Sequence, residues 1–343
     1  MLGFDDEEVC ARVSRDPDPS TPSIAASPDH HHEPALEFRN VFKTYGSIAA
    51  LNDLSLNVER GTIHGFLGPN GAGKTTAIRI LMGFLKASNG TTRLLGLDAW
   101  RDGVAARSNV GYLVTADALY PDMSGNDQLA FAADISGREP VLRKRALDAL
   151  ELGPDALGRR LGTYSKGMRQ KLAITAALQH DPELLVLDEP SDGLDPLVQQ
   201  HLEELLRERQ QAGRTVFMSS HDLAEVERTC QQVAVIRNGG LVASGTTKEL
   251  SRQYQRTAII RFRDSIPDGI DQLGTVVSVD RERTVIEVRI GGDVNPLIRQ
   301  IAKEDIASLA IREPQLQDVF FSYYGEADNA SRPETSPPGA DSK

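Results

Sequence analysis

The sequence predicts an α/β fold: a mixed-sheet core with a helical subdomain and antiparallel β strands, followed by a small α+β appendage. Three observations predict it. Residues 183–187 and 215–220 are short, continuous apolar runs, as strands buried on both faces of a parallel sheet are. Between an apolar run at 62–67 and a helical pattern at 77–82 lies the glycine-rich stretch Gly68-Pro69-Asn70-Gly71-Ala72-Gly73-Lys74-Thr75-Thr76. Beyond about residue 246 the pattern changes to strand-like runs at 257–262, 275–279 and 285–289.

A chain of 343 residues suits two domains, one larger than the other. No run approaches the ~18 apolar residues a membrane helix needs. The acidic start does not read as a signal peptide, so the chain is expected in the cytoplasm. The net charge of −11 is concentrated in the tails. Residues 1–34 hold eight acidic and two basic side chains, and residues 326–343 hold four and two. The rest carries no basic footprint, and no nucleic-acid partner is expected. Two cysteines, Cys10 and Cys230, provide no disulfide framework.

Taken in order, residues 1–34 are Pro- and Asp-rich with few large apolar groups, and are expected to be a disordered acidic tail. Within them, His30-His31-His32 reads as an incidental solvated run, because no second His or Cys cluster completes a metal site. Residues 36–42 and 51–58 alternate apolar and polar side chains as half-buried strands do, with Tyr45 just after the first. Strands follow at 62–67, 91–96 and 109–114. Ser124 can cap a helix carrying Leu129, Phe131 and Ile135, and a second helix runs from about Pro140 to Leu150. These helices break the strand–helix alternation and predict a helical subdomain over about residues 111–180. After a loop at 153–162, Ser165 begins another helix.

The strand at 183–189 ends in Asp188-Glu189, and the strand at 215–220 ends at His221. Helices at 197–211 and 223–230 and strands at 233–236 and 241–243 close a domain placed at residues 35–245. An accessory domain is expected at 246–325, with helices near 267–273 and 296–303. Residues 326–343 are expected to be a second disordered tail.

The glycine-rich stretch carries the first chemistry. A polyphosphate needs several donors converging on it, and glycines let the backbone turn so that successive N–H groups face one anion. The stretch ends at a helix N-terminus, where free N–H groups and the dipole favour negative charge. Lys74 would reach the β/γ-phosphates, and the Thr75 hydroxyl would hold Mg²⁺. Strand, loop and helix in this order outweigh the plainer reading of a glycine turn with a chance lysine.

Asp188 and Glu189 end a strand of the same domain, the edge at which parallel sheets place ligands. Asp188 would bind Mg²⁺, directly or through water, and Glu189 would activate the attacking water. Alone, the pair could simply cap the next element; downstream of a complete phosphate loop the catalytic reading is preferred.

Further motifs complete a pattern. Tyr164-Ser165-Lys166-Gly167-Met168-Arg169-Gln170-Lys171 resembles the signature of ATP-binding-cassette (ABC) proteins. Ser191-Asp192-Gly193-Leu194-Asp195-Pro196 resembles their D-loop, His221 their switch histidine, and Tyr45 the aromatic that stacks on adenine. These elements occur in the family's order over about residues 36–245. The resemblance implies a P-loop NTPase cassette that binds ATP with Mg²⁺. It also implies a homodimer or heterodimer of cassettes, in which Ser165 and Gly167 close on the ATP held by the other protomer's loop. A separate transmembrane permease, with the cassette peripheral on the inner face of the cell membrane, is implied as well. Tyr164-Ser165-Lys166-Gly167-Met168 is similar to the variant in cassettes serving export. The close Glu313-Pro314-Gln315-Leu316-Gln317-Asp318-Val319-Phe320-Phe321-Ser322-Tyr323-Tyr324 resembles that of bacterial ABC-2-type exporter ATPases, which move drugs, lipids or polysaccharides.

Two positions depart from the family. Lys166 replaces the first signature glycine. Thr115 stands where a glutamine commonly touches Mg²⁺ and water; Gln128 lies too far along to substitute, and Asp117 reads as a solvated loop acid. Two alternatives stay open. One is a soluble ABC ATPase acting on ribosomes or nucleic acid, although this chain has one cassette and no sustained heptads. The other is a low-turnover regulatory ATP-binding module. A GTPase is disfavoured, because no Asn-Lys-x-Asp motif occurs.

Overall fold

The computed structural model describes residues 33–113, 118–252, 256–267, 274–291 and 293–312. Residues 1–32 of the expected N-terminal tail, Thr115, Asp117, most of the helix expected at 267–273, the close at 313–324 and the tail expected at 326–343 lie outside them.

The elements run β1 (Leu36–Tyr45), β2 (Ile48–Val58), β3 (Ile63–Leu67), α1 (Lys74–Leu81), β4 (Asn89–Leu94), β5 (Leu97–Asp98), α2 (Gly103–Arg107) and β6 (Val110–Tyr112). Then come α3 (Gly125–Ser136), α4 (Arg143–Ala149), α5 (Pro154–Leu157), α6 (Lys166–Leu178), β7 (Leu184–Asp188), α7 (Pro196–Gln211), β8 (Thr215–Ser220), α8 (Leu223–Thr229), β9 (Gln232–Arg237) and β10 (Gly240–Thr246). The chain continues with α9 (Thr247–Arg252), β11 (Arg256–Phe262), β12 (Thr275–Asp280), β13 (Val285–Ile290), α10 (Asn295–Ile301) and β14 (Ile306–Arg312).

The central sheet has the order β10-β9-β3-β8-β7-β6, and only β10 runs antiparallel to its neighbour. Its register fixes the site. Leu67 is opposite Ser220, and Asp188 is opposite Ser219, so β3, β7 and β8 end side by side. The residues that follow these ends, Gly68, Glu189 and His221, therefore emerge at one sheet edge. The strands are apolar on both faces because both are covered. Val216 and Met218 pack on one side with Leu172, Ile174, Val198 and Leu202 of α6 and α7. Phe217, between them, packs on the other with Phe66, Ile78 of α1 and Leu51 and Leu54 of β2.

The antiparallel sheet β2-β1-β4-β5 closes that second face. β1 buries Leu36, Phe38 and Val41 against it. The helical region is bound by polar cross-links as well as by packing. Ser124 and Asp127 form a capping box at α3. Buried Gln179 donates to the Leu129 carbonyl at 3.0 Å and accepts from Arg143 Nε at 2.7 Å, joining α3, α4 and the end of α6. A third sheet, β12-β13-β11-β14, is antiparallel throughout and packs Ala258, Ile260, Phe262, Ile286 and Val288 with Leu297 and Ile301 of α10.

Several elements differ from expectation. The strand expected at 91–96 ends at Leu94, because Leu95 (φ 50°) and Gly96 (φ 88°) turn the chain into β5. The loop expected at 153–162 holds the short helix α5, started by Pro154 at its first position. The helix expected over 140–150 is confined to Arg143–Ala149. Helix α2 and strand β14 are not expected from the sequence pattern; α2 is five residues long and gives no sustained period.

Candidate functional site

The glycine-rich stretch leaves β3 as a tight loop. A Cβ on Gly68 would lie 2.6 Å from the Ile236 carbonyl oxygen, so only glycine lets β3 and β9 stay adjacent there. Ala72 donates to the Pro69 carbonyl at 3.2 Å and accepts at its own carbonyl from Gly239 at 3.0 Å. Gly73, at φ 108°, precedes α1 and supplies no side-chain cap. The first-turn N–H groups of the eight-residue α1 are therefore available to an anion. Pro69 is half-buried, and Asn70 and Gly71 are exposed on the rim. Thr75 and Thr76 are half-buried in the first helical turn.

Lys74 is buried. Its ammonium donates to the carbonyls of Gly68 at 2.5 Å and Pro69 at 3.3 Å and pairs with Glu189 Oε1 at 3.1 Å. Glu189 sits at φ 50°, a left-handed conformation that costs a non-glycine residue about 1–2 kcal/mol. Its N–H donates to Ser219 Oγ at 3.0 Å, and that hydroxyl donates onward to Asp188 Oδ1 at 2.5 Å. The strained backbone turns the Glu189 carboxylate toward two partners, Lys74 on one oxygen and His221 Nδ1 at 2.7 Å on the other. Lys74, Asp188, Glu189 and His221, drawn from three separate stretches, thus form one cluster.

The signature stretch is built differently. Ser165 caps α6 by accepting the Met168 N–H at 3.2 Å. A Cβ on Gly167 would lie 2.6 Å from the Gly193 carbonyl oxygen, so the helix start rests on the turn after the acid pair. Lys166 reaches Asp192 at 2.7 Å across the same contact. Gln170, one turn along α6, donates to the Pro190 carbonyl at 2.9 Å and the Glu189 carbonyl at 3.2 Å. The one sequence signal for Gln170 is a polar residue on the buried face of an amphipathic helix. Among the described residues, no hydrogen bond joins Ser165 or Gly167 to the phosphate loop. Tyr45 ends β1 half-exposed, with the Lys43 ammonium 5.1 Å from its ring centre and no hydrogen bond to the cluster. Gln128 is buried in α3 and accepts the Tyr120 N–H at 3.2 Å, a structural tie rather than a stand-in at position 115.

The donors present suit Mg²⁺: a carboxylate at Asp188 and a hydroxyl at Thr75 are hard oxygen ligands. Among the described residues no group of three or more His, Cys, Asp or Glu could enclose a metal. An ion here would complete its shell with waters and phosphate oxygens, as Mg²⁺ usually does.

A phosphate loop, an acid pair at the adjacent strand end and a helix-capping signature define a P-loop ATPase cassette. The ABC transporter family model matches residues 51–192. Three relatives extend the likeness over most of the chain. The daunorubicin/doxorubicin resistance ATP-binding protein DrrA of Streptomyces peucetius is 31% identical over 88% of this chain and 96% of its own length. The bacitracin transport ATP-binding protein BcrA of Enterococcus faecalis is 31% identical over 85% and 97%. The Nod factor export ATP-binding protein I of Paraburkholderia xenovorans is 37% identical over 85% and 98%. Among solved structures, an ATP-binding subunit of an ABC transporter superposes with a TM-score of 0.59 at 30% identity, over 64% of this chain and 92% of that one. The chain belongs to the ABC transporter family, as its ATP-binding, ATP-hydrolysing component.

Proposed function

We propose that this ATPase powers export, of a drug, lipid or polysaccharide, through a separate permease at the inner face of the cell membrane. The names of the relatives, which speak of drug resistance, bacitracin transport and Nod factor export, favour export over the ribosomal or regulatory alternatives. Among the described residues no helix is long and apolar enough to cross a membrane. A groove of about 620 Å³ beside the helical region offers a docking surface for the permease. Phe84, Val104, Tyr120 and Ile135 line this groove and are largely exposed.

The observation that carries the hydrolytic reading is the Lys74–Glu189–His221 cluster at the sheet edge. The phosphate loop and the first turn of α1 would hold the triphosphate, and Lys74 would leave Glu189 to meet its β/γ oxygens. Released from Lys74, Glu189 could accept a proton from water in line with the γ-phosphate, with His221 orienting that water or phosphate. Asp188 and Thr75 would hold Mg²⁺, which when bound neutralises charge on the phosphate oxygens. Tyr45 would stack on adenine. Ser165 and Gly167, which make no hydrogen bond to their own loop, would close over the ATP of a second protomer, with backbone N–H groups and the α6 dipole opposing γ-phosphate charge.

Glu189→Gln tests the core of this reading. It keeps the shape but removes the base, so ATP turnover should fall at least ~100-fold while ATP binding persists and a dimer accumulates on size-exclusion chromatography. Unchanged turnover would remove Glu189 from its role.

A further inference from the structure

Glu225 has no part in the chemistry above, yet it is buried among the segments that perform it. It lies in the first turn of α8, whose cap Asp222 accepts the N–H groups of Ala224 at 2.8 Å and Glu225 at 3.2 Å. One oxygen of the Glu225 carboxylate accepts from Ser220 Oγ at 2.6 Å. The other accepts a short hydrogen bond from Ser191 Oγ. Both serines are placed where movement would matter. Ser220 directly precedes His221, and its carbonyl receives the Gly68 N–H at 3.4 Å. Ser191 follows Glu189 by two residues and belongs to the turn that bears the Gly167 and Gln170 contacts of α6.

A buried carboxylate held by hydroxyls rather than by a cation is a costly way to fill space. Burial pushes its carboxyl above the ordinary range against the pull of both serines. An apolar residue would pack there at less cost, so the group must contribute something packing cannot. What it contributes is a cross-link between two segments far apart in sequence, each carrying one member of the cluster.

We propose that Glu225 is a positioning residue that ties the turn after Glu189 to the residue before His221, and so holds base, histidine, phosphate loop and signature helix in one arrangement. The proposal rests on the catalytic reading of Glu189 and His221. A slip of about 1 Å in such an arrangement can cost two orders of magnitude in rate. Through Ser191 the clamp also links the α6 end, where a second protomer's nucleotide would sit, to the His221 side of the chain's own site.

The test is steady-state ATPase kinetics on the full chain, with circular dichroism and thermal unfolding to establish folding. Glu225→Ala should lower kcat roughly tenfold or more while KM for ATP stays within about threefold. Ser191→Ala should lower kcat less, and adding it to Glu225→Ala should have no further effect, because one linkage is lost only once. Glu225→Gln, which can accept from one hydroxyl and donate to the other, should recover most of the rate. Wild-type kcat in folded Glu225→Ala, or independent multiplicative effects of the two substitutions, would overturn the proposal. Should Glu225→Ala fail to fold, Ser191→Ala decides alone, and an unchanged kcat there overturns it. Glu189→Gln measured in parallel separates the two ideas. If it is inactive while Glu225→Ala turns over normally, only the positioning role falls; if it retains turnover, the catalytic reading falls and takes this one with it.

Discussion

Two helix starts in this molecule carry a lysine beside a glycine, and they are built to opposite plans. Lys74 opens α1 behind Gly73; it is 6% exposed, and its ammonium is enclosed by two carbonyls and Glu189. Lys166 opens α6 ahead of Gly167; its side chain is 62% exposed and leans on Asp192. The first start is held by hydrogen bonds to Ser220 of β8 at Gly68 and to Gly239, in the turn between β9 and β10, at Ala72, and β2 lies close against it at Gly73. The second rests on the turn after the acid pair through Lys166, Gly167 and Gln170, with Tyr164 just before it buried and donating to the Ala156 carbonyl at 2.6 Å. The same local device, free N–H groups at a helix start, therefore lies in an enclosed pocket in one place and on an exposed face in the other, and we take the first as fixed and the second as movable. A fixed pocket suits holding a nucleotide, and a movable face suits closing over one.

The two glycines test this contrast most strongly. Gly73 sits at φ 108°, and a Cβ there would lie 2.7 Å from the Ala50 carbonyl oxygen and 2.9 Å from Leu51 Cδ2. Backbone strain and overpacking each cost about 1–3 kcal/mol, so Gly73→Ala should lower both the unfolding temperature and ATP affinity. At Gly167 the backbone is unstrained, and the single close contact is with the Gly193 carbonyl in a turn that can shift. Gly167→Ala should leave ATP affinity near wild type and the unfolding temperature little changed, but lower ATP turnover. Equal losses of stability in the two variants, by differential scanning calorimetry, would erase the distinction between fixed and movable starts.

Both helix starts are legible in sequence, the first as a glycine-rich stretch after an apolar run and the second through the resemblance of residues 164–171 to the family signature. The phosphate loop, the acid pair and His221 announce themselves because each follows a short apolar run, and parallel strands bring such ends together. The register that makes Glu189 a partner of both Lys74 and His221 could not be read, because it depends on Leu67 facing Ser220 and Asp188 facing Ser219 across a sheet whose strand order is not the chain order. Gln170 and Glu225 escaped for a related reason. Each is a polar residue inside an apolar helix face, and only its partners, the Pro190 carbonyl and the two serines, reveal what it does. Short elements such as α2 and α5 escaped because one turn of helix sets up no period. The Lys166–Asp192 pair spans 26 residues and has no sequence signal at all.

A smaller effect probes the support behind the fixed pocket. His64 lies on β3 at 1% exposure, its ring 6.0 Å from that of Phe217. Burial lowers its pKa from 6.5 to about 4. The unfolded chain therefore takes up a proton before the folded one, and stability falls as pH drops from above 6.5 toward 4. At pH 5 the loss attributable to this group is about 2 kcal/mol. Glu225 works in the opposite sense, since its carboxyl is raised by burial and acid relieves its charge. Comparison with a variant isolates the histidine. His64→Leu should be measurably less sensitive than wild type between pH 7 and pH 5 in urea unfolding, and parallel pH profiles would show that His64 is not the group responsible.

The smallest effect is expected at Lys166. Its ion pair with Asp192 joins two side chains that are both more than half exposed, and such pairs contribute at most about 1 kcal/mol. A cation at the positive end of the α6 dipole is unfavourable, which offsets even that gain. Lys166→Ala should therefore leave the unfolding temperature unchanged within error at both low and high salt. If Lys166 holds the movable face in place only through Asp192, Asp192→Ala should match Lys166→Ala in ATP turnover. If Lys166 itself meets a second protomer's phosphates, Lys166→Ala alone should raise KM for ATP in the dimer, with Asp192→Ala unchanged. A drop in thermal stability comparable to that of Gly73→Ala would instead make this helix start as rigidly built as the first, and the contrast between the two lysines would fail.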